Sequence, residues 1–181
     1  MKPDNIGFDV RDDVKIFDFG LAKELQEDKR VNGTDTFKLT AKCGSPRYMA
    51  PEVFKGLPYN HNVDVYGFGL LLWQICECKT PFDDFNYEML EEQVMIGNER
   101  PVVNAKLSPG LKKLMESCWH HDLSQRPEAA DVCMKLKAEI VNLCGDKILD
   151  DLDFTSRTEA SLHAAAAALR ANDITIPVGT I

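Results

Sequence analysis

The chain has 181 residues, 44% hydrophobic and 28% charged, enough apolar material for one domain with a buried core. Its net charge of −8 argues against nucleic acid or an anionic membrane as a partner of the whole surface and is what ordinary solubility needs. The N-terminus as given shows no basic-then-apolar leader, the longest apolar run (Gly67 to Cys76) is too short to span a bilayer, and the six cysteines and four histidines complete no metal-ligand spacing, so a reducing, cytoplasmic setting is expected.

Ile6 to Phe8 and Val14 to Phe17 read as two short strands, with the polar Asp9 to Asp13 as their hairpin connection. From Leu21 to Cys43 no period persists. Asp28, Lys29, Arg30, Asn32, Gly33 and the threonines 34, 36 and 40 mark a long polar loop.

Helices follow. Val63 to Glu77 is apolar almost all round and predicts a central buried helix. Tyr87 to Ile96 predicts an amphipathic one. Ser108 is a cap followed by Pro109 at the first helical position, opening a helix to about Trp119. Pro127 likewise opens a helix to about Leu143, with Ala130, Val132, Cys133, Leu136, Ile140 and Leu143 near one face. After Gly145 the chain turns acidic. Ser156 to Glu159 has capping-box spacing, and Ala160 to Ala171 is strongly helix-prone but carries little bulky apolar surface. Residues 144–181 therefore read as a tail with an appended Ala-rich helix or weak order, and a docking helix is the lesser alternative.

Phosphoryl transfer asks a protein for metal ligands near phosphate oxygens, a cation on the moving phosphate and a base near the accepting hydroxyl. Asn5 ends the first loop, and Asp18 ends the next strand. A hairpin of that length can bring an amide oxygen and a carboxylate together, and such hard oxygens suit Mg²⁺. Lys2 offers a point charge for phosphate. Taken singly, Asp18-Phe19-Gly20 is usually only a turn. Its order with Lys2-Pro3-Asp4-Asn5 and with Ala50-Pro51-Glu52 is what gives it weight.

Five ordered words make the chain resemble the C-terminal lobe of a eukaryotic protein kinase over residues 1–143. They are KPDN (2–5), DFG (18–20), GSPRYMAPE (44–52), DVYGFG (64–69) and CWHHDLSQRP (118–127). Lys2 and the Gly44-Ser45-Pro46 stretch resemble the serine/threonine type, and Cys118-Trp119 resembles the tyrosine-kinase-like group of such kinases. The resemblance implies a mainly α fold with a short β-hairpin at the active-site edge and no N-lobe. It implies ATP and Mg²⁺, with Asn5 and Asp18 as metal ligands, Lys2 on the transferred phosphoryl group, and Ser45 positioning the substrate hydroxyl. It further implies a Glu52–Arg126 ion pair beneath the activation segment, and an Asp64 that ties the start of the central helix to the catalytic-loop backbone. Asp64 also reads simply as a carboxylate favoured by a helix N-terminus. Residues 18–52 become the activation segment, and Thr40 the candidate phosphosite for an upstream activating kinase.

Three departures stand out. The family's His-Arg-Asp would precede Lys2 by one residue, and Met1 occupies that intervening place, so the base is not among these residues. The Gly-rich loop and strand lysine of an N-lobe are also not among them. Gly7 stands where the family usually has a leucine under the adenine ring. The expectation is a fragment of a longer kinase acting on protein substrates, inactive by itself, with Ile6, Phe19 and Leu21 exposed; a natural short product is the runner-up. A kinase-like interaction module without catalysis is the alternative from another class.

Overall fold

The structure, a computed structural model, describes residues 1–145; the expected Ala-rich helix lies outside the described residues. Strands β1 (Ile6–Phe8) and β2 (Val14–Ile16) pair antiparallel, with Ile6 opposite Ile16, Gly7 opposite Lys15 and Phe8 opposite Val14. The Asp9 carboxylate builds the turn. Its Oδ1 accepts from the N–H of Arg11 at 2.8 Å and of Asp13 at 3.1 Å, and Lys15 Nζ lies 3.3 Å from Oδ2. Those donors and the lysine hold the Asp9 carboxyl down at about 2. The second strand ends at Ile16, one residue early, although the Phe17 N–H still donates to the Asn5 carbonyl at 2.9 Å.

The helices are α1 (Pro51–Lys55), α2 (Asn62–Glu77), α3 (Tyr87–Met89), α4 (Pro109–Cys118) and α5 (Ala129–Cys144). Helix α1 is closed by Gly56 at φ 68°, a left-handed cap that glycine takes without steric cost. Helix α2 is the central element. It buries Val65, Tyr66, Leu70, Leu71, Leu72 and Trp73, which span several of its faces, as its apolar sequence predicts. Gly69 lets α4 approach closely: a Cβ there would stand 2.8 Å from Cys118 Cβ. Burial beside α2 pushes the Cys118 thiol up to about 11, so this sulfur packs as a small apolar group.

Three elements differ from expectation. The amphipathic segment 87–96 begins as α-helix, capped by the Asn86 side chain on the Met89 N–H at 2.9 Å, and then becomes a π-helix over Leu90–Ile96. Hydrogen bonds of the i→i+5 kind widen the turn. Leu90 and Met95, five apart, thereby share the buried side with Val94. Helix α5 starts at Ala129, not Pro127. The backbone is extended at Arg126, as it must be before a proline, and Glu128 becomes the cap residue. Its buried face is narrower than expected: Val132 is buried and Leu136, Ile140 and Leu143 half-buried, while Ala130 and Cys133 are exposed.

The third difference is in the polar loop, which has an anchor. Phe37 is 3% exposed and exchanges backbone hydrogen bonds with Tyr59, N–H to carbonyl at 2.8 and 3.1 Å. Arg30 lies over its ring at 5.1 Å, and Arg30 is held in turn by Glu27 at 2.9 Å and Asp35 at 3.6 Å. The Lys38 N–H closes the loop on the Lys29 carbonyl at 2.9 Å.

Candidate functional site

One cleft of about 760 Å³ lies between the hairpin, the segment after Asp18 and the start of α2. Lys2, Asn5, Asp18, Ser45 and Asp64 all line it. Lys2 precedes and Asn5 ends a one-turn 3₁₀ helix, Pro3–Asn5, whose proline pre-sets the turn, and the Asn5 N–H returns to the Lys2 carbonyl at 3.2 Å. Lys2 Nζ stands 3.9 Å from Asp4 Oδ2. Asp18 sits at φ 56°, a left-handed conformation that Asp tolerates better than most residues, and its Oδ1 accepts from the Gly20 N–H at 3.3 Å. The Phe17–Asn5 hydrogen bond ties the two donor segments together immediately beside these side chains.

Ser45 is half-buried and precedes the 3₁₀ turn Pro46–Tyr48. That turn is pinned to the molecule by Arg47, which donates to the carbonyls of Pro81 at 2.6 Å and Phe82, and by the Tyr48 hydroxyl on Gln74. Asp64 stands in the first turn of α2, 3.7 Å from the amino nitrogen of Met1. Below it, a Cβ on Gly67 would lie 3.2 Å from the Met1 carbonyl oxygen, so the start of α2 abuts the segment leading to Lys2.

Beneath the cleft Glu52 and Arg126 meet. Arg126 donates from Nη1 and Nη2 to the two carboxylate oxygens at 2.6 and 2.9 Å, and also to the carbonyls of Asn62 (3.2 Å) and His120 (2.9 Å). This two-pronged geometry joins α1, the start of α2 and the approach to α5. Tyr66 adjoins it. The guanidinium carbons of Arg126 and Arg100 lie 5.0 and 5.1 Å from its ring centre. Burial pushes the Tyr66 hydroxyl up and the Arg100 guanidinium down from their ordinary values. Sequence reasoning missed Arg100. Nor did it find His61, whose Nε2 lies 2.7 Å from Glu128 Oε2 and joins the starts of α2 and α5.

Thr40 is exposed. Its carbonyl oxygen accepts from the Tyr59 hydroxyl at 2.8 Å and the Cys43 thiol at 3.2 Å. Burial and the adjoining Cys43 push the Tyr59 hydroxyl up to about 12. The Lys42 ammonium lies 4.9 Å from the centre of the Phe54 ring. Phe19 and Leu21 are exposed as expected, whereas Ile6 is half-buried.

Among the described residues no group of three or more His, Cys, Asp or Glu side chains converges as a metal cage. Asn5 and Asp18 line one cleft and bring to it an amide oxygen and a carboxylate, hard donors of the kind a divalent cation such as Mg²⁺ takes. No helix among those residues is long and apolar enough to cross a membrane.

Comparison with known proteins gives a family. The family model of the protein kinase domain matches residues 1–136. The chain is 38% identical over 128 residues to the serine/threonine-protein kinase VIK of Arabidopsis thaliana, matching 70% of this chain and 28% of that protein. It is 35% identical over 133 residues to the dual specificity protein kinase pyk3 of Dictyostelium discoideum (74% and 9%). It is 34% identical over 147 residues to the dual specificity protein kinase shkB of the same organism (80% and 22%). The matched part is thus less than a third of each relative's length. With five α-helices and one two-stranded hairpin among the described residues and a kinase-domain match over three quarters of its length, the chain belongs to the protein kinase family and has the fold of its C-terminal lobe.

Proposed function

We propose that these residues are the lower half of a protein serine/threonine kinase, which transfers the terminal phosphoryl group of ATP to a hydroxyl of a protein substrate. The observation that carries this reading is the shared cleft of Lys2, Asn5, Asp18 and Ser45. Mg²⁺, when bound, would supply the positive charge that offsets charge developing on the phosphates. The amide oxygen of Asn5 and the carboxylate of Asp18 would hold it, and the hydrogen bond between their segments keeps the two side chains' backbones together. Lys2 supplies a compact positive charge that leaves its weak contact with Asp4 for a phosphate. Ser45, on a turn fastened by Arg47, orients the accepting hydroxyl. The Glu52–Arg126 pair keeps that turn and α2 in register, and Asp64 sets the catalytic loop against α2.

Thr40 is the modification site in this reading. It is exposed to an upstream kinase, and a phosphate there adds about −1.5 to −2 charges. Lys42, two residues on, would exchange its contact with Phe54 for that phosphate.

The test uses labelled ATP, Mg²⁺ and a generic basic protein. A longer natural chain that carries these residues behind an aspartate two positions before Lys2 is expected to label serine or threonine, and its Asp18→Ala variant is not. Failure of that longer chain would overturn the enzyme reading and favour a kinase-like interaction module. The 181-residue polypeptide has no aspartate at that position. Proton transfer without a base loses a factor on the order of 10²–10⁴, so this polypeptide should show no labelling above its own Asp18→Ala control.

A further inference from the structure

Helix α5 carries more apolar surface than the lobe uses. Its inner side follows Val132, Leu136, Ile140 and Leu143, with Val132 buried and the other three half-buried. A second series, Ala130, Cys133, Met134, Ala138 and Val141, recurs at helical spacing on the outer side. Ala130, Cys133, Met134 and Ala138 are exposed, Met134 at 61%, and Val141 is half-buried. A surface helix ordinarily gives one stripe to the core and the rest to water. Here Asp131, Lys135 and Asn142 share the narrow polar strip that is left, and Lys137 is the charged member of the outer face. No described residue covers that face, although Ala130 and Cys133 read in the sequence as core positions.

Residues 146–181 follow directly on α5 and lie outside the described residues. Their sequence holds one segment that matches the bare face. In the helix-prone stretch 160–171 the two bulky apolar residues, Leu162 and Leu169, stand seven apart with Ala165 and Ala166 between them, which puts all four on one helical face. A helix that short is marginal by itself even when rich in alanine, so it needs a packed face to persist. It would be about 18 Å long, the length of α5 from Ala130 to Val141. Residues 145–159 reach roughly 50 Å when extended, about twice the length of α5, so the connection spans the distance easily. We propose that the outer face of α5 is the docking surface for residues 160–171 of the same chain, which fold onto it as a helix. Alanines on both faces let the two axes approach, and Leu162, Leu169, Met134 and Val141 supply the bulk between them. The tether presents this segment at an effective concentration on the order of millimolar, which a second copy or a separate partner would have to exceed.

The experiment is pulsed labelling of the 181-residue chain with N-ethylmaleimide, read cysteine by cysteine by mass spectrometry. Cys133 reports on the outer face of α5, the exposed Cys78 at the end of α2 is the reference, and the buried Cys118 reports that the lobe is folded. Cys133 should react roughly 10-fold or more slowly in the parent chain than in Leu162→Glu/Leu169→Glu. Ala166→Pro, which breaks the helix without adding charge, should release Cys133 equally. Cys78 should label at one rate in all of them, and Cys118 in none. The reciprocal variant Met134→Glu/Val141→Glu should speed amide hydrogen exchange across residues 160–171 to the rate seen in Leu162→Glu/Leu169→Glu. Protection of Cys133 should not change with protein concentration, because the contact is within one chain.

Equal labelling of Cys133 in the parent and in Leu162→Glu/Leu169→Glu would overturn the proposal, as would protection that survives Ala166→Pro. Protection that disappears on dilution would show that a second copy covers α5 instead. Exchange across residues 160–171 that ignores Met134→Glu/Val141→Glu would show that the segment packs elsewhere.

Discussion

Arg126 places two nitrogens on the two carboxylate oxygens of Glu52, 74 residues earlier in the chain, with its own side chain wholly out of solvent. Removing one partner strands the other charge. Arg126→Met or Glu52→Gln should lower the unfolding free energy by about 3–5 kcal/mol. The double replacement by apolar residues should recover much of that loss. Urea denaturation of the three variants checks this, and a single variant that unfolds like the parent would show that the pair contributes nothing.

Phe37 is the anchor of the segment that joins Asp18 to Ser45. Phe37→Ala removes a buried ring, a change that costs about 3–5 kcal/mol in a packed core. Part of that cost should appear locally, as faster trypsin cleavage after Lys29, Arg30 and Lys38 at temperatures where α2 remains protected from hydrogen exchange. Equal cleavage rates in variant and parent would mean that the ring does not hold the segment.

Gly69 sets the distance between α2 and α4. A methyl group would meet Cys118 Cβ at 2.8 Å, so Gly69→Ala should destabilise by about 1–3 kcal/mol through overpacking, although alanine is the better helix former. A more stable Gly69→Ala protein, measured by thermal unfolding, would show that the two helices move apart freely.

The hairpin has a defined acid limit. The Asp9 carboxyl is held near 2 by the N–H groups of Arg11 and Asp13 and by Lys15, below its ordinary value of 3.8. A depressed carboxyl stabilises the folded form fully above 3.8, and that contribution is lost as pH falls through 2. The amide resonances of Arg11 and Asp13 should hold their positions down to pH 4 and shift as the pH approaches 2. Asp9→Asn should abolish that transition. A midpoint near 4 would contradict the turn geometry.

Thr40→Ala should reduce the activity of a longer active chain more than Thr34→Ala or Thr36→Ala. The hydroxyls of Thr34 and Thr36 bond to each other at 2.9 Å, whereas only the carbonyl of Thr40 is engaged in the contacts described above. Full activity with Thr40 unmodified would move the switch elsewhere.

Much of the lobe was legible in the sequence, because its signals are local. A continuous apolar run gives α2, Ser108-Pro109 starts α4, and an acidic turn between two short apolar stretches gives the hairpin. The motif words also bring Lys2, Asn5, Asp18 and Ser45 to one cleft. What escaped depends on partners far along the chain. Phe37 is a single aromatic residue in a polar stretch, and Tyr59, whose backbone bridges to it, is 22 positions away. Arg100 reads as a surface charge until α2 and the Trp119 carbonyl, which accepts from its Nε at 2.9 Å, close around it. The π-helix at Leu90–Ile96 follows from the need to bury Met95 together with Leu90, which no helical wheel of 3.6 residues per turn displays.

Tyr66 bears two cations on one ring and lies fully inside the protein. It cannot be exchanged for an aliphatic residue unless the guanidiniums of Arg100 and Arg126 lose their shared π-surface together. A change at position 66 is thus felt at two distant cations at once, one on the stretch before α4 and one on the approach to α5.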